Sequence, residues 1–269
     1  MKNLNEYIKE GLFDDLDKIE KAGGMNHNAK LLKKEVIDWI IKNNKDRIYK
    51  NKIEINTNTT PWTVNYDGDI HMQQSITSLN NDDLFQWGEV KGSFDCSWCD
   101  SLESLKGAPE KVERNFDCSW CTSLKSLEGS PKKVGVLFDC SWCTSLTSLV
   151  GAPEKADMFV CSNCTSLTSL QYIPKTQYIS CSNCENLKSL KGAPKELAYF
   201  YCVRCKSLTS LKGSPEVVER IFDCRLTSIT SLEGCPKEVG GNFVCNDCKT
   251  QFTEEDVRKV SKVKGDIIV

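Results

Sequence analysis

The segment 116–131 reads FDCSWCTSLKSLEGSP, and related segments recur between residues 94 and 248. The shared unit is Phe-x-Cys-x-x-Cys-x-x-Leu-x-x-Leu-x-Gly-x-Pro. Its first cysteine returns every 20–22 residues, at Cys96, Cys118, Cys140, Cys161, Cys181, Cys202, Cys224 and Cys245. A unit this short cannot bury its own apolar face, so neighbouring units must stack into one continuous core. The repeat therefore predicts a solenoid.

Alternation around Cys118 has the period of a short β-strand. Phe116 and Cys118 are expected to point inward, and Asp117 is expected to point outward. The Leu-x-x-Leu step supplies more inward side chains, and the Gly-x-Pro step breaks regular structure. About nine residues then remain for the return of the chain, which is too few for a full helix. We predict a mainly β solenoid with one short strand per repeat and an extended or 3₁₀ return.

The residues before the repeats have a different pattern. Apolar residues at helical spacing predict helices over residues 4–19 and 28–43, and alternation then predicts strands within residues 47–72. A unit without cysteines follows, in which Ile70 lies nine residues before Leu79, just as Cys96 lies nine before Leu105. We expect this unit to be a degenerate first repeat of the kind that caps a solenoid.

The chain is thus expected to contain three regions. Residues 1–90 are expected to form an α+β cap that includes the degenerate repeat, and residues 91–248 are expected to form the solenoid. Residues 249–269 are expected to form a C-terminal cap, with a helix starting at 253–256 and an edge strand at 266–269.

Charge and hydropathy argue against several classes of function. The 35 lysines and arginines nearly balance the 37 aspartates and glutamates, so the net charge of -2 creates no strong field toward nucleic acid. No run approaches the roughly 18 apolar residues of a membrane span, and no secretory signal is recognised. We therefore expect neither a nucleic-acid nor a membrane partner, and a reducing cytoplasm in which the 16 cysteines stay thiols.

The cysteines are candidate metal ligands. Seven Cys-x-x-Cys pairs begin at Cys96, Cys118, Cys140, Cys161, Cys181, Cys202 and Cys245. Two such pairs alone would suit a zinc ribbon. In a solenoid, however, equivalent residues lie about 4.8 Å apart in a column and not at the corners of a tetrahedron. We interpret them as two ladders of buried thiols, without metal or cofactor, and a metal-binding array is the alternative.

Two outward columns are candidates for partner binding. They hold Asp95, Asp117 and Asp139 before the first cysteine, and Trp98, Trp120 and Trp142 two positions after it. Stacked one strand apart, they predict an acidic and aromatic stripe, a composition typical of interface hot spots. Tyr178, Tyr201 and Arg204 extend this surface, and a basic partner could use ion pairs and cation–π contacts there. The structural alternative is that the indoles cover the core and the aspartates bond turn amides.

The repeats resemble the leucine-rich repeat family. The CTSL step of residues 121–124 resembles its cysteine-containing class, and LKSL followed by Pro131 is similar to its short bacterial class. The resemblance covers residues 94–248 and implies a curved solenoid whose concave sheet binds another macromolecule. The sequence of residues 144–153, TSLTSLVGAP, is also similar to that of repeat proteins of large tailed phages. Neither resemblance names a partner, because a fold does not specify a function.

One N-terminal feature suggests a different role. Ile8-Lys9-Glu10 resembles the head-targeting leaders of phage internal proteins, which a maturation protease cuts after such a glutamate. That resemblance implies a protein packaged in the virion.

Signatures of phosphate-binding loops, nucleophile elbows and zinc proteases are missing from the sequence. We therefore expect a non-enzymatic, protein-binding solenoid, encoded by a phage and binding a host protein such as a defence component. A packaged virion protein and a metal-binding array are the alternatives.

Overall fold

The computed structural model describes residues 27–46, 48, 52–80 and 84–269. The predicted helix over residues 4–19 and the leader around Glu10 lie outside the described residues. Within them, the structure is a β-solenoid of about nine turns with two helices, α1 (His27–Asn43) and α2 (Glu254–Val260). The strands are β1 (Ile53–Asn56), β2 (Trp62–Tyr66), β3 (Ile70–His71), β4 (Phe85–Val90), β5 (Phe94–Asp95), β6 (Lys111–Val112), β7 (Phe116–Asp117), β8 (Lys133–Val134), β9 (Leu137–Asp139), β10 (Met158–Val160), β11 (Tyr178–Ser180), β12 (Glu196–Tyr201), β13 (Val217–Asp223), β14 (Glu238–Val239), β15 (Phe243–Val244), β16 (Lys262–Val263) and β17 (Ile267–Ile268).

The Phe-x-Cys segments form the main ribbon, a parallel stack in the order β3-β5-β7-β9-β10-β11-β12-β13-β15-β17. Neighbouring rungs pair in register, so Phe116 lies between Phe94 and Phe138 with ring centroids 5.7 and 5.3 Å away. All three rings are fully buried, and so is Cys118. The predicted strand and its inward residues are confirmed.

The return of the chain forms a second, shorter ribbon. In it β2, β4, β6 and β8 pair in parallel, and single bridges continue the column through Lys155 and Lys175. The inward residues Val112 and Val134 are buried, whereas the lysines that precede them are exposed. The return is therefore extended, as predicted, but it contains a second strand that the sequence analysis did not identify.

A tight turn joins the leucine step to the second ribbon. Gly129 lies there with φ +88°, and a Cβ atom on it would come within 2.3 Å of the backbone nitrogen of Lys106 in the preceding rung. Only glycine fits such a position without strain. One rung departs from this rule, because Tyr172 takes the place of the glycine with φ 73° and keeps its side chain 63% exposed.

At the N-terminal end, helix α1 confirms the helix predicted over residues 28–43, and strands β1, β2 and β3 confirm the strands predicted within residues 47–72. Strand β3 pairs with β5, but Ile70 lies opposite Phe94 and not opposite the cysteine. The amide of Met72 donates to Asp95 O, as that of Cys96 donates to Asp117 O. Met72 thus holds the place of Cys96, and the register expected for the degenerate unit was wrong by two residues.

The C-terminal end is closed by α2 and β17. Thr253 caps the helix with its hydroxyl, which accepts from the amide of Asp256, and the Asp256 carboxylate accepts from the amide of Thr253. Val257 of this helix is fully buried and covers the last rungs. Strand β17 pairs with β15 at the edge, as predicted. Neither described helix has both the length and the apolar character that crossing a bilayer requires.

Candidate functional site: the aspartate and tryptophan stripe

The turn after each strand of the main ribbon is built by an aspartate. In three consecutive rungs, a carboxylate oxygen accepts a hydrogen bond of 2.8 Å from the amide two residues later. The amide of Ser97 donates to Asp95, that of Ser119 donates to Asp117, and that of Ser141 donates to Asp139. Such a bond closes an Asx turn. One oxygen of each carboxylate thus bonds a turn amide, which was the structural alternative to a role in partner binding.

The next residue in each turn is a tryptophan in the left-handed conformation. The φ angles of Trp98, Trp120 and Trp142 are 64°, 61° and 62°, which is unusual for a bulky side chain. In the following rungs Asn163 and Asn183 hold the same place with φ 61° and 58°. The turn therefore projects one side chain per rung out of the core, whatever its type.

The three indoles stack face to face. Their centroids are 4.3 Å apart in both pairs, and the ring planes differ by 6° and 8°. Trp98 is 47% and Trp142 is 39% exposed, and Trp120 between them is less exposed. Both faces of Trp120 are thus covered by its neighbours. The neighbouring indoles therefore block a cation–π contact on either face of Trp120, and among the described residues no ring covers the outer faces of Trp98 and Trp142.

The three aspartates lie in register on adjacent rungs. Among the residues that the structure describes, none forms an ion pair with Asp95, Asp117 or Asp139. Partial burial raises the pKa of Asp117, and the neighbouring carboxylates Asp139 and Asp95 raise it further. The amide of Ser119 acts in the opposite direction but does not outweigh burial. The column is therefore a row of like charges without an internal counter-ion.

The remaining candidate residues form a second group. Tyr178 and Tyr201 lie 5.5 Å apart, and Tyr199 stacks on Tyr201 at 6.5 Å with nearly parallel rings. Burial raises the pKa of Tyr178 and of Tyr201, so both keep their phenol protons at neutral pH. We call these three residues the tyrosine cluster. Tyr199 was not among the predicted site residues, although its spacing of two from Tyr201 on one strand indicates the same outward face.

One rung, that of β10, separates the tyrosine cluster from the stripe, because Tyr178 lies on β11. The column of Asp139 continues through Val160 and Ser180 before it reaches Tyr201. Arg204 is exposed and holds the left-handed position of the tryptophans, beyond Asn163 and Asn183. The predicted site residues thus lie on one outward face, but they form two patches and not a continuous stripe.

The thiols of the Cys-x-x-Cys pairs donate to backbone carbonyls. Cys118 Sγ lies 3.4 Å from Asp139 O in the next rung, and Cys143 Sγ lies 3.2 Å from Cys118 O in the preceding rung. The first pattern recurs at Cys96, Cys140 and Cys181, and the second recurs at Cys121, Cys164, Cys184, Cys205 and Cys248. Burial raises the pKa of Cys96 and of Cys140, which keeps them protonated as donors. These ladders join neighbouring rungs inside the core.

One rung has a threonine in place of the second cysteine. Leu226 keeps the left-handed φ of 60°, and the buried Thr227 follows it in the place of the thiol. Its hydroxyl donates to Cys224 O at 2.8 Å and lies 3.4 Å from Cys248 Sγ. A hydroxyl therefore occupies the place of the thiol, but it donates to a carbonyl of its own rung and not to one of the preceding rung. The shortened segment comes after it.

All 16 cysteines are free thiols, and 15 of them are buried. In the described ranges no three histidine, cysteine, aspartate or glutamate side chains are arranged to hold a metal ion. The extra thiol Cys235 is half-buried in a turn, and burial raises its pKa to about 11. Its environment therefore does not activate it as a nucleophile.

Comparisons of the chain with protein-family models, with curated proteins and with solved structures returned no significant match. The function is therefore inferred from the geometry of the outward face.

Proposed function

We propose that this chain is a non-enzymatic solenoid that binds a protein partner through the outward face of its main ribbon. The observation that carries the proposal is the exposed indole stack beside a row of carboxylates that form no ion pair with any described residue. Large aromatic side chains on a rigid scaffold lose little conformational entropy on binding and are enriched at interface hot spots. The tyrosine cluster supplies a second aromatic patch on the same face.

A protein partner suits the stripe better than a carbohydrate does. Sugar rings pack on open aromatic faces, whereas both faces of Trp120 are covered in the stack. The indole edges and the free carboxylate oxygens instead offer hydrogen-bond donors and acceptors at the spacing of the rungs, about 4.8 Å. A polypeptide with basic and polar side chains can use both.

The proposal extends to the source and location of the chain. The resemblance of the repeats to proteins of large tailed phages supports a phage-encoded factor that acts in the host cytoplasm on a host protein, such as a defence component. Affinity purification of the tagged chain from infected cells, read by mass spectrometry, identifies the partner. Recovery of virion proteins only would contradict the host assignment.

The binding face is tested by replacing Trp98, Trp120 and Trp142 together with asparagine. Asparagine is the matched choice because Asn163 and Asn183 already hold this left-handed position. Titration calorimetry with the purified partner should show affinity lower by about 30-fold or more, the loss of a hot spot worth about 2 kcal/mol.

The control variant is Tyr172→Gly, which removes an even more exposed aromatic ring from a turn outside the stripe. It should bind the partner as the unmodified chain does. Unchanged affinity in the triple variant, with an intact circular dichroism spectrum, would remove the stripe from the binding surface.

A further inference from the structure

The two ends of the indole stack are not equivalent. Beyond Trp142, the next rung places Asn163 in the same left-handed position. Before Trp98, the degenerate rung has a shorter turn, because Met72 holds the place of Cys96 and Gln73 that of Cys99. Two residues, the equivalents of Ser97 and Trp98, are missing there. No side chain of that turn can therefore continue the stack, which agrees with the larger exposure of Trp98, 47% against 39%.

The turn that contains Trp98 also contains the carboxylate of Asp95. Asp95 uses one oxygen to accept from the amide of Ser97, and no other contact to it is formed within the described part of the chain. Trp98 likewise has ring contact with Trp120 alone among the described residues. As far as the described residues go, an indole face without a ring partner and a carboxylate oxygen without a hydrogen-bond or ion-pair partner thus lie three residues apart in one turn.

The protein itself indicates which cation suits this column. Four rungs beyond Asp139, Asp223 holds the same position and is 4% exposed. Its carboxylate accepts from the amide of Arg225 at 3.2 Å, and the guanidinium of Arg225 lies 3.4 Å from its other oxygen. In the stripe, serines replace this arginine. Among the described residues, none supplies Asp95 with the counter-ion that Arg225 supplies to Asp223.

We propose that the stripe binds an arginine side chain of its protein partner at the Trp98 end. The guanidinium would lie flat on the uncovered face of Trp98, continue the indole stack and pair with the free oxygen of Asp95. Guanidinium groups are planar and weakly hydrated, and they stack on aromatic faces while they bind carboxylates. A lysine ammonium matches the charge but not the planar geometry. This inference rests on the proposed function and specifies one contact within it.

The test uses the full chain and four peptides, acetyl-Gly-Gly-X-Gly-Gly-amide, in which X is arginine, citrulline, lysine or tyrosine. Citrulline keeps the planar shape of arginine and lacks its charge. The six indole N–H groups are followed by ¹⁵N–¹H NMR and assigned by single tryptophan variants. The arginine peptide should shift the Trp98 signal first and bind roughly fivefold more tightly than the citrulline peptide.

Variants separate stacking from charge. Trp98→Asn should abolish binding of the arginine peptide, whereas Tyr172→Gly, in a turn outside the stripe, should leave it unchanged. Asp95→Asn should weaken the arginine peptide and leave the tyrosine peptide unchanged. Equal binding of the lysine peptide, tighter binding of the tyrosine peptide, or an undiminished response in Trp98→Asn would each overturn the proposal. If these outcomes occur while the triple asparagine variant still loses its partner, the stripe remains the binding face and only the arginine contact is wrong.

Discussion

Each carboxylate of the stripe both closes a turn and adds a negative charge to the outward face. One oxygen of Asp117 accepts from the amide of Ser119 at 2.8 Å and sets the turn, and the carboxylate forms no ion pair with any residue in the described part of the chain. Burial and the like charges of the neighbouring rungs raise the pKa of this group. The ionised carboxylate is thus less favourable in the folded protein than in the unfolded chain. A side chain that keeps the acceptor and loses the charge should therefore be tolerated.

Replacing Asp117 tests this at the residue scale. Asp117→Asn should be at least as stable as the unmodified chain at pH 7, whereas Asp117→Ala should lose about 1 kcal/mol with the turn hydrogen bond. Because the folded pKa is raised, the unmodified chain gains stability relative to Asp117→Asn as the pH falls from 7 toward 4. Urea unfolding at both pH values measures the difference. An asparagine variant as unstable as the alanine variant would contradict the assigned cost of the charge.

The turns between ribbons show how closely the rungs approach one another. Gly129 has φ +88°, and its missing side chain leaves room for the backbone of Lys106. The ion pairs on the second ribbon stabilise the stacking of the rungs less than this backbone contact does. Lys132 and Glu110 lie 2.8 Å apart, but each side chain is about two-thirds exposed. Exposed pairs of this kind are screened by solvent. At the scale of an element, the spacing of the rungs therefore depends on backbone fit and on the buried ladders.

Gly129→Ala should destabilise the protein strongly, because its Cβ would lie 2.3 Å from a backbone nitrogen and its φ would be strained. We expect a loss of about 2 kcal/mol or more in urea unfolding. The matched control is Gly68→Ala, where φ is not positive and the Cβ would meet only the side-chain atoms of Tyr66 and Lys52 at 3.0 Å or more. Equal losses at the two glycines would show that the close approach of the rungs is not the cause.

Across the whole molecule, each rung contacts its neighbours and little else, so stability is shared along one dimension. The buried rings illustrate this order: Phe116 stacks between Phe94 and Phe138, whereas Phe243 packs 5.1 Å from Phe222 near the C-terminal end. A defect in the middle of such an array separates two blocks. A defect near an end loosens only the terminal rungs.

Phe116→Ala should therefore cost about 3–5 kcal/mol and expose the amides of the rungs on both sides to hydrogen exchange. Phe243→Ala should increase exchange in β13, β15 and β17 and leave β5 to β9 protected. Hydrogen exchange followed by mass spectrometry resolves the two patterns. Uniform loss of protection along the whole chain in either variant would contradict a core coupled rung by rung.

The periodicity of cysteine, leucine and glycine was sufficient to predict the solenoid and its inward residues, because a side chain that returns every 20–22 residues must occupy the same place in every turn. Helical spacing and the capping pattern likewise predicted α1 and α2. The second ribbon was missed, since a Lys-Val pair such as Lys133–Val134 is too short to show a period. The shift between Ile70 and Met72 was missed because only strand pairing decides register.

The sequence by itself determined which residues stack and which face outward in each turn, because those properties follow from the repeat. The tertiary structure decided what the outward residues can do. It placed the indoles of Trp98, Trp120 and Trp142 4.3 Å apart, so that each ring covers its neighbour. It also placed Trp98 beside a shorter turn, where no described aromatic ring continues the stack. Contacts between rungs depend on the distance and orientation of side chains far apart in sequence, and these follow only from the folded stack.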